Sequence, residues 1–431
     1  MSAVVERLIA ERLPDWIALR RDIHKHPELG FLEFRTASRA AATLERLGYA
    51  VQVGHEVMDP AAMVGVPAPQ AQEDALAEAL ALGAEKRWTD RMVGGMTGVV
   101  GTLKRGKGPT VALRFDIDAL PLREASERQH GPARSGYAST RPGVMHACGH
   151  DGHVAIGLAV AEVAASPDLR WAGTLKLIFQ PAEEGGRGAK PMVEAGVVDD
   201  ADWFFAAHLG CSLPSGKVAA AAEKMLFSTK WDVAFTGRAA HAAGNPHEGR
   251  NALLAGAQAA LGLHGIARHG HATTHVNVGV MTAGSGRNVI AERASLLIEV
   301  RGDSDDSLDY MEGRAREVIE GAAKAQGCAH EIRPVGKTIG ETSTARASAA
   351  VSEVAGAVPG IGEVLPAWEI GGGDDAAYFM RRMRERGKEA CYFVVGSDLA
   401  ACHHAVLFDF QEKDIETGTR LYAGLIERVA R

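Results

Sequence analysis

The chain has 431 residues, 46% of them apolar and 23% charged, with a formal net charge of −7. That length exceeds a single core, so two domains are expected. The acidic balance argues against nucleic acid as the main partner, and no run of about 18 apolar residues is present to cross a membrane.

The first 31 residues, MSAVVERLIAERLPDWIALRRDIHKHPELGF, have no basic start followed by an apolar run, so they read as an amphipathic helix rather than a signal peptide. Residues 55–95 carry a proline-rich start and then strong helix formers, AQEDALAEALALGAEKRW, which fits either a helical insertion or a mobile surface loop. Residues 99–122 read as two short strands around a Gly/Lys/Pro turn. A helix at 153–166, a strand at 174–180, a helix near 188–195 and a strand at 202–208 follow. Strands alternating with helices predict a mostly parallel α/β sheet, whose ligands sit beyond the carboxyl ends of the strands. Those ends are FDID (115–118), FQPAEEGG (179–186) and AAHLG (206–210), each carrying acids or a histidine.

From about 216 the texture changes. STKWDVAFTG alternates, an alanine-rich helix follows with its start near Pro246 and Glu248, THVNVGVM and RASLLIEVRG read as strands, and 304–327 is helical. Helices against antiparallel strands predict an inserted α+β domain at 216–332. The α/β rhythm returns at 333–431, with a buried strand EACYFVVG and a closing helix. The expected fold is thus an α/β sheet domain, 1–215 and 333–431, interrupted by an α+β domain.

MHACGHDGH (145–153) crowds a cysteine and three histidines at the mouth of a helix. Together with Glu183–Glu184, His208 and His403–His404, these are ligands of the right softness to converge on divalent metal. Taken singly, Cys148 reads as a buried apolar filler, the glutamate pair as a solvated turn and the late histidines as surface. Their joint placement at α/β strand ends favours a site. Two adjacent carboxylates in a cleft repel. A cation neutralises one and leaves the other to act as base on metal-held water, so Glu184 is assigned as ligand and Glu183 as general base. A cysteine hydrolase built on Cys148 and His150 is the rival, disfavoured because nucleophile and base rarely find usable geometry two residues apart on one turn. A catalytically silent metal-binding partner of a related hydrolase is the alternative, and the intact Glu183 argues against it. Five cysteines without regular spacing fit a reducing, cytoplasmic compartment and no structural disulfide.

RRDIHKHPELGFLEFRT (20–36), LRFDIDALPLRE (113–124), MHACGHDGH, FQPAEEGG, GRAAHAAGNPHEGRNAL (237–253) and GSGRNVI (284–290) follow one another in the order of a known family. The chain resembles the metal-dependent amidohydrolases of the glutamate carboxypeptidase and aminoacylase group. Within it, the branch of hippurate and auxin-conjugate hydrolases fits best, with the 55–95 insertion and IGGGDDAAYFM (370–380) similar to the aminobenzoyl-glutamate hydrolase A-subunit type. The resemblance implies hydrolysis of an N-acyl or N-aroyl amino acid, a lid that dimerises, and a homodimer or a heterodimer with a related subunit. It implies two divalent cations, zinc or manganese, on Cys148, His150, Glu184, His208 and a late histidine. HAVLF places Phe408 where the family motif has its aromatic, which favours His404; the motif's proline is absent and His403 stays open. Asp118 matches the aspartate that supports the metals. Asp116 stands where another branch has a histidine ligand, so Cys148 substitutes for that ligand. His241 matches a lid histidine that polarises the scissile carbonyl in the opposite protomer of the dimer. Asn288 and Arg301 match lid positions that hold the substrate carboxylate, and Asp374 and Asp375 replace an acidic pair.

Overall fold

The computed structural model describes residues 2–431 and divides into two compact units. The first comprises residues up to Glu223, then Glu341–Ile370 and Asp375–Arg431. The second comprises Lys224–Gly340 and Gly371–Asp374.

Eight strands of the first unit form one sheet, in the spatial order Ala50–Val53, Val99–Arg105, Gly173–Gln180, Thr110–Asp116, Trp203–Leu209, Glu389–Val395, Lys217–Ala219, Glu363–Leu365. The middle strands Gly173–Gln180, Thr110–Asp116, Trp203–Leu209 and Glu389–Val395 run parallel. Ala50–Val53, Val99–Arg105 and Lys217–Ala219 join antiparallel, so the sheet is mixed rather than mostly parallel. The strands on either side of the Gly/Lys/Pro turn do not pair: Gly173–Gln180 lies between them. Both faces of the middle strands are covered, which is why they read as near-continuous apolar runs. Phe205 joins the main core while Phe204, one residue earlier, stacks on Phe379 of the helix Ala377–Glu385, the period-two alternation of a strand.

The helix His150–Ala165 is apolar almost all round and buried on every side, packed by the helices Ala3–Lys25 and Asp414–Val429. It begins at His150, three residues before the sequence expectation. Residues 55–95 form the helix Pro69–Ala81, the short helix Lys86–Thr89 and three 3-10 turns. Among the described residues no helix is long and apolar enough to cross a membrane.

The second unit is a four-stranded antiparallel sheet, ordered Ala329–Thr338, Phe227–Thr236, Arg293–Gly302, His275–Ala283. The helices Ala252–His264 and Asp305–Ala325 pack against it. Its boundaries fall at 224 and 340 rather than 216 and 332. Hydrogen bonding explains both: Lys217–Ala219 pairs into the large sheet, while Ala329–Thr338 pairs along Phe227–Thr236. The alanine-rich helix starts at Ala252 rather than near Pro246, because Pro246–Glu248 is a separate 3-10 turn and the Asn251 side chain caps the helix on the Leu254 N–H.

Candidate metal centre

The parallel strands deliver their carboxyl ends to one edge of the sheet. There Thr110–Asp116 leads to Asp118, Gly173–Gln180 to Glu183 and Glu184, and Trp203–Leu209 carries His208. Cys148 and His150 enter from the start of the long buried helix, and His404 from the loop after Glu389–Val395. Ligand atoms of Cys148, His150 and His208, of Cys148, Glu184 and His404, and of His150, Glu183 and Glu184 each lie within 4.8 Å of one another. The metal ligands expected from sequence are therefore brought together, with Glu183 beside them.

Second contacts aim these groups. The His150 Nδ1–H donates to the Asp118 carbonyl at 2.9 Å, which turns Nε2 towards the centre. That Nε2 is buried without a hydrogen-bond partner, and Asp116, Glu183 and Glu184 carboxylate oxygens surround it at 3.7, 3.8 and 3.9 Å. The His208 Nδ1–H donates to the Leu209 carbonyl, leaving Nε2 facing Cys148 Sγ at 3.4 Å. Asp118 clamps the glutamates from behind: its two carboxylate oxygens accept the Glu183 and Glu184 N–H groups at 3.0 and 3.1 Å. His404 sits in the left-handed region at φ 64°, its N–H held by the Ala147 carbonyl at 2.8 Å, and its Nε2 meets Glu184 at 3.3 Å. A non-glycine residue in that conformation stores strain that the fold must impose. His403 packs on His208 with ring centroids 5.0 Å apart, its ligand atom lies within 4.8 Å of those of His208 and Cys211, and its Nε2 accepts the Cys211 N–H at 3.0 Å.

A soft thiol, three imidazoles and a carboxylate beside an unsatisfied buried nitrogen fit divalent cations. Burial lowers His150, but Asp116, Asp118 and Cys148 outweigh it and raise the ring well above its usual range, so a cation there displaces a proton; His208 is already in the ligand form. Burial, then His153 and His403, press His208 well below its usual range, so it is the neutral imidazole that a cation needs. Burial and then Glu184 raise the Cys148 thiol well above its usual range, which disfavours a free thiolate nucleophile and is reversed by a neighbouring cation.

Of the other site residues, the family resemblance singles out Asp116 and Asp375, whereas Arg114, His153, Gln180 and Glu33 carry no clear signal in the sequence. His153 lies one turn after His150, an i,i+3 spacing that does place both on one helix face. It holds Asp116 by a 2.5 Å bond from Nδ1–H and accepts the Leu209 N–H on Nε2. Asp116 also takes Arg114 Nη1 at 2.6 Å, so its hydrogen-bonding capacity is used by protein donors. Gln180 and Arg114 share Asp375, whose second oxygen accepts the Gly188 and Ala189 N–H groups. Glu33, fully buried, accepts the Ala182 N–H at 2.8 Å and the Thr97 hydroxyl at 2.6 Å. Burial and the Asp118 carboxylate push its carboxyl up to about 8. Three successive N–H groups, of residues 182–184, are thus spent on two buried acids.

His146 is buried with no hydrogen-bond partner on either ring nitrogen, and burial lowers it to about 4 from 6.5. The unfolded chain takes up this proton below 6.5 and the folded chain does not, so stability falls as pH drops from 6.5 towards 4. Replacement by phenylalanine is expected to remove up to about 1.4 kcal/mol of stability per pH unit from that slope. Urea titrations of both proteins at pH 4.5, 5.5 and 6.5 measure it, and parallel curves refute it.

Three expected residues lie in the second unit. The exposed His241 accepts the Ala243 and Gly244 N–H groups on Nδ1 at 3.2 and 2.9 Å, which sets the neutral ring as an Nε2–H donor. Asn288 accepts the Ala242 N–H on its carbonyl. Arg301, on the strand Arg293–Gly302, pairs with Glu299 at 2.9 Å. Among the described residues no hydrogen bond or ion pair links Arg301 to His241 or Asn288.

A mixed α/β sheet whose parallel strand ends gather a thiol, imidazoles and a clamped glutamate pair is the framework of a metal-dependent hydrolase. The profile of peptidase family M20/M25/M40 matches residues 112–428, and the chain belongs to that family as an amidohydrolase. It is 44% identical over 411 residues to the indole-3-acetyl-aspartic acid hydrolase of Enterobacter agglomerans, covering 95% of this chain and 94% of that one. It is 44% identical over 407 residues to the p-aminobenzoyl-glutamate hydrolase A-subunit of Escherichia coli K12, covering 94% and 93%. The crystal structure of an aminobenzoyl-glutamate utilization protein from Klebsiella pneumoniae superposes with a TM-score of 0.83 at 38% identity, covering 100% of this chain and 98% of that one.

Proposed function

We propose that this protein hydrolyses the amide bond between an acyl or aroyl group and an amino acid, with aminobenzoyl-glutamate-like or hippurate-like conjugates as substrates. Cys148, His150, Glu184, His208 and His404 would hold two divalent cations, zinc or manganese. When bound there they lower the pKa of water and polarise the carbonyl. Glu183 takes a proton from the attacking water and delivers it to the leaving amine nitrogen. Asp118 keeps Glu183 and Glu184 in register through their N–H groups. By the family resemblance, His241 would donate its Nε2–H to the scissile carbonyl oxygen in the opposite protomer as negative charge develops, and Asn288 and Arg301 would take the α-carboxylate.

The observation that carries this reading is the pair of adjacent glutamates clamped by one buried aspartate beside the unsatisfied His150 nitrogen. Metal analysis of the purified chain, with a panel of benzoyl-, aminobenzoyl- and acetyl-amino acids before and after chelation, tests it. Turnover that is lost with the metal and returns with zinc or manganese supports it. A metal-loaded chain inert on the whole panel favours a silent partner of a related hydrolase.

The edge strand His275–Ala283 and the neighbouring helix Ala252–His264 expose Val280, Met281, Leu253, Leu254 and Leu261, the last at 78%. An apolar patch on a sheet edge fits an interface between protomers, so we read the lid as the dimerisation surface of a homodimer or of a pair with a related chain. The double substitution Leu261→Glu, Val280→Lys is expected to convert a dimer to monomer in light scattering, and an unchanged mass refutes the assignment. Five cysteines, none in a disulfide, suit a cytoplasmic, reducing location.

A further inference from the structure

The loop that carries the paired glutamates also carries a cation, Arg187. Its side chain folds back over Gly185: a Cβ there would lie 2.5 Å from the Arg187 Nε, and one at Gly30 would lie 3.0 Å from Nη2. A Cβ at Gly185 would crowd the guanidinium directly, while one at Gly30 would meet Ala182 first and Nη2 at 3.0 Å. Nη1 donates to the Gly65 carbonyl, which belongs to the 55–95 insertion, and the group lies over the Phe31 ring at 5.2 Å. Among the described residues Arg187 makes no ion pair, and its buried Nε has no hydrogen-bond partner. The Nε–Nη2 edge is the side of a guanidinium that grips a carboxylate with two parallel hydrogen bonds. Here that edge is unused.

A half-buried cation without a counter-ion costs stability. If the side chain only anchored the insertion, a neutral donor to the Gly65 carbonyl would suffice. Its loop begins at the catalytic glutamates, and the unmet valence is that of a carboxylate. We infer that Arg187 is the receptor for a side-chain carboxylate on the leaving amino acid, which makes conjugates of dicarboxylic amino acids the preferred substrates. This inference rests on the hydrolase reading above and narrows it, separating aminobenzoyl-glutamate-like from hippurate-like substrates. It also gives the insertion a task, since Gly65 turns the guanidinium by occupying Nη1.

The test compares p-aminobenzoyl-glutamate with p-aminobenzoyl-glutamine, equal in shape and different in one charge, on metal-loaded wild type, Arg187→Gln and Arg187→Lys. Wild type is expected to prefer the glutamate conjugate in kcat/KM. That preference should shrink roughly 10- to 100-fold in Arg187→Gln, the worth of hydrogen bonds to a charged group, and survive in part in Arg187→Lys. A preference unchanged by Arg187→Gln, or a wild type without one, overturns the inference, as does an equal fall on both conjugates, which marks a structural pin. Calorimetric binding of free glutamate and free glutamine to the same three proteins reads the same ratio without turnover. If wild type binds glutamate selectively through Arg187 yet hydrolyses nothing, the hydrolase reading fails and the receptor stands.

Discussion

Glu183→Gln lowers kcat by roughly 10²- to 10⁴-fold while zinc or manganese content and KM stay close to wild type, because the change removes one proton acceptor and little else. Glutamine has the shape of glutamate, and the substitution leaves intact the backbone N–H of residue 183 on Asp118 at 3.0 Å. Glu184, the assigned ligand, keeps its own bond to the second Asp118 oxygen. The loss is therefore expected on proton transfer. The variant is assayed on p-aminobenzoyl-glutamate with metal counted by mass spectrometry. Activity near wild type removes Glu183 from the base role, and loss of metal with activity makes it a ligand.

The largest effect on stability is expected at Arg20. Its side chain is fully buried in the first helix and meets Asp151 at 2.7 Å, Asp409 at 2.7 Å and Glu412 at 3.1 Å. It also lies over the Phe410 ring at 4.4 Å. His24 continues the network, its two ring N–H groups reaching Asp151 and Glu124 at 2.9 Å each, which raises it above its usual range against the opposing effect of burial. Arg20→Met keeps much of the volume and strands two or three acids without their cation. Breaking a buried ion pair in this way costs about 3–5 kcal/mol. Equilibrium urea unfolding measures the cost, and a shift below about 1 kcal/mol refutes it. Asp151→Asn added to Arg20→Met should cost less than the sum of the two single changes, because both act on one network. Asp151 follows His150 directly, so the network also anchors the mouth of the helix that carries the centre.

Much of the metal centre is readable in one dimension because its chemistry is local. Cys148 and His150 share one turn, Glu183 and Glu184 are neighbours, and strand ends are marked by apolar runs that stop at polar residues. The family motifs add Asp118 and His404. The supporting shell is not readable in this way. Glu33 reaches Ala182 across 149 residues, and Asp375 reaches Gly188 across 187; a buried carboxylate has no periodicity of its own. The direction of the flanking strands is equally hidden, since a hydrophobic run has the same pattern whichever way it runs. The start of the Ala252–His264 helix escapes the pattern because Pro246 and Glu248 look like helix openers, and only the Asn251 cap shows where the turns become regular.

Residue order alone indicated the kinds of candidate ligand, their grouping at strand ends and the interruption of an α/β domain by an α+β one, because these depend on periodicity and on neighbours in the chain. The tertiary structure alone decided that His404 rather than His403 meets Glu184, that Asp116 is held by Arg114 and His153, and that Arg187 has no counter-ion. Each of those is a statement about which side chains lie within about 4 Å of one another after long loops close, and no local pattern encodes that distance.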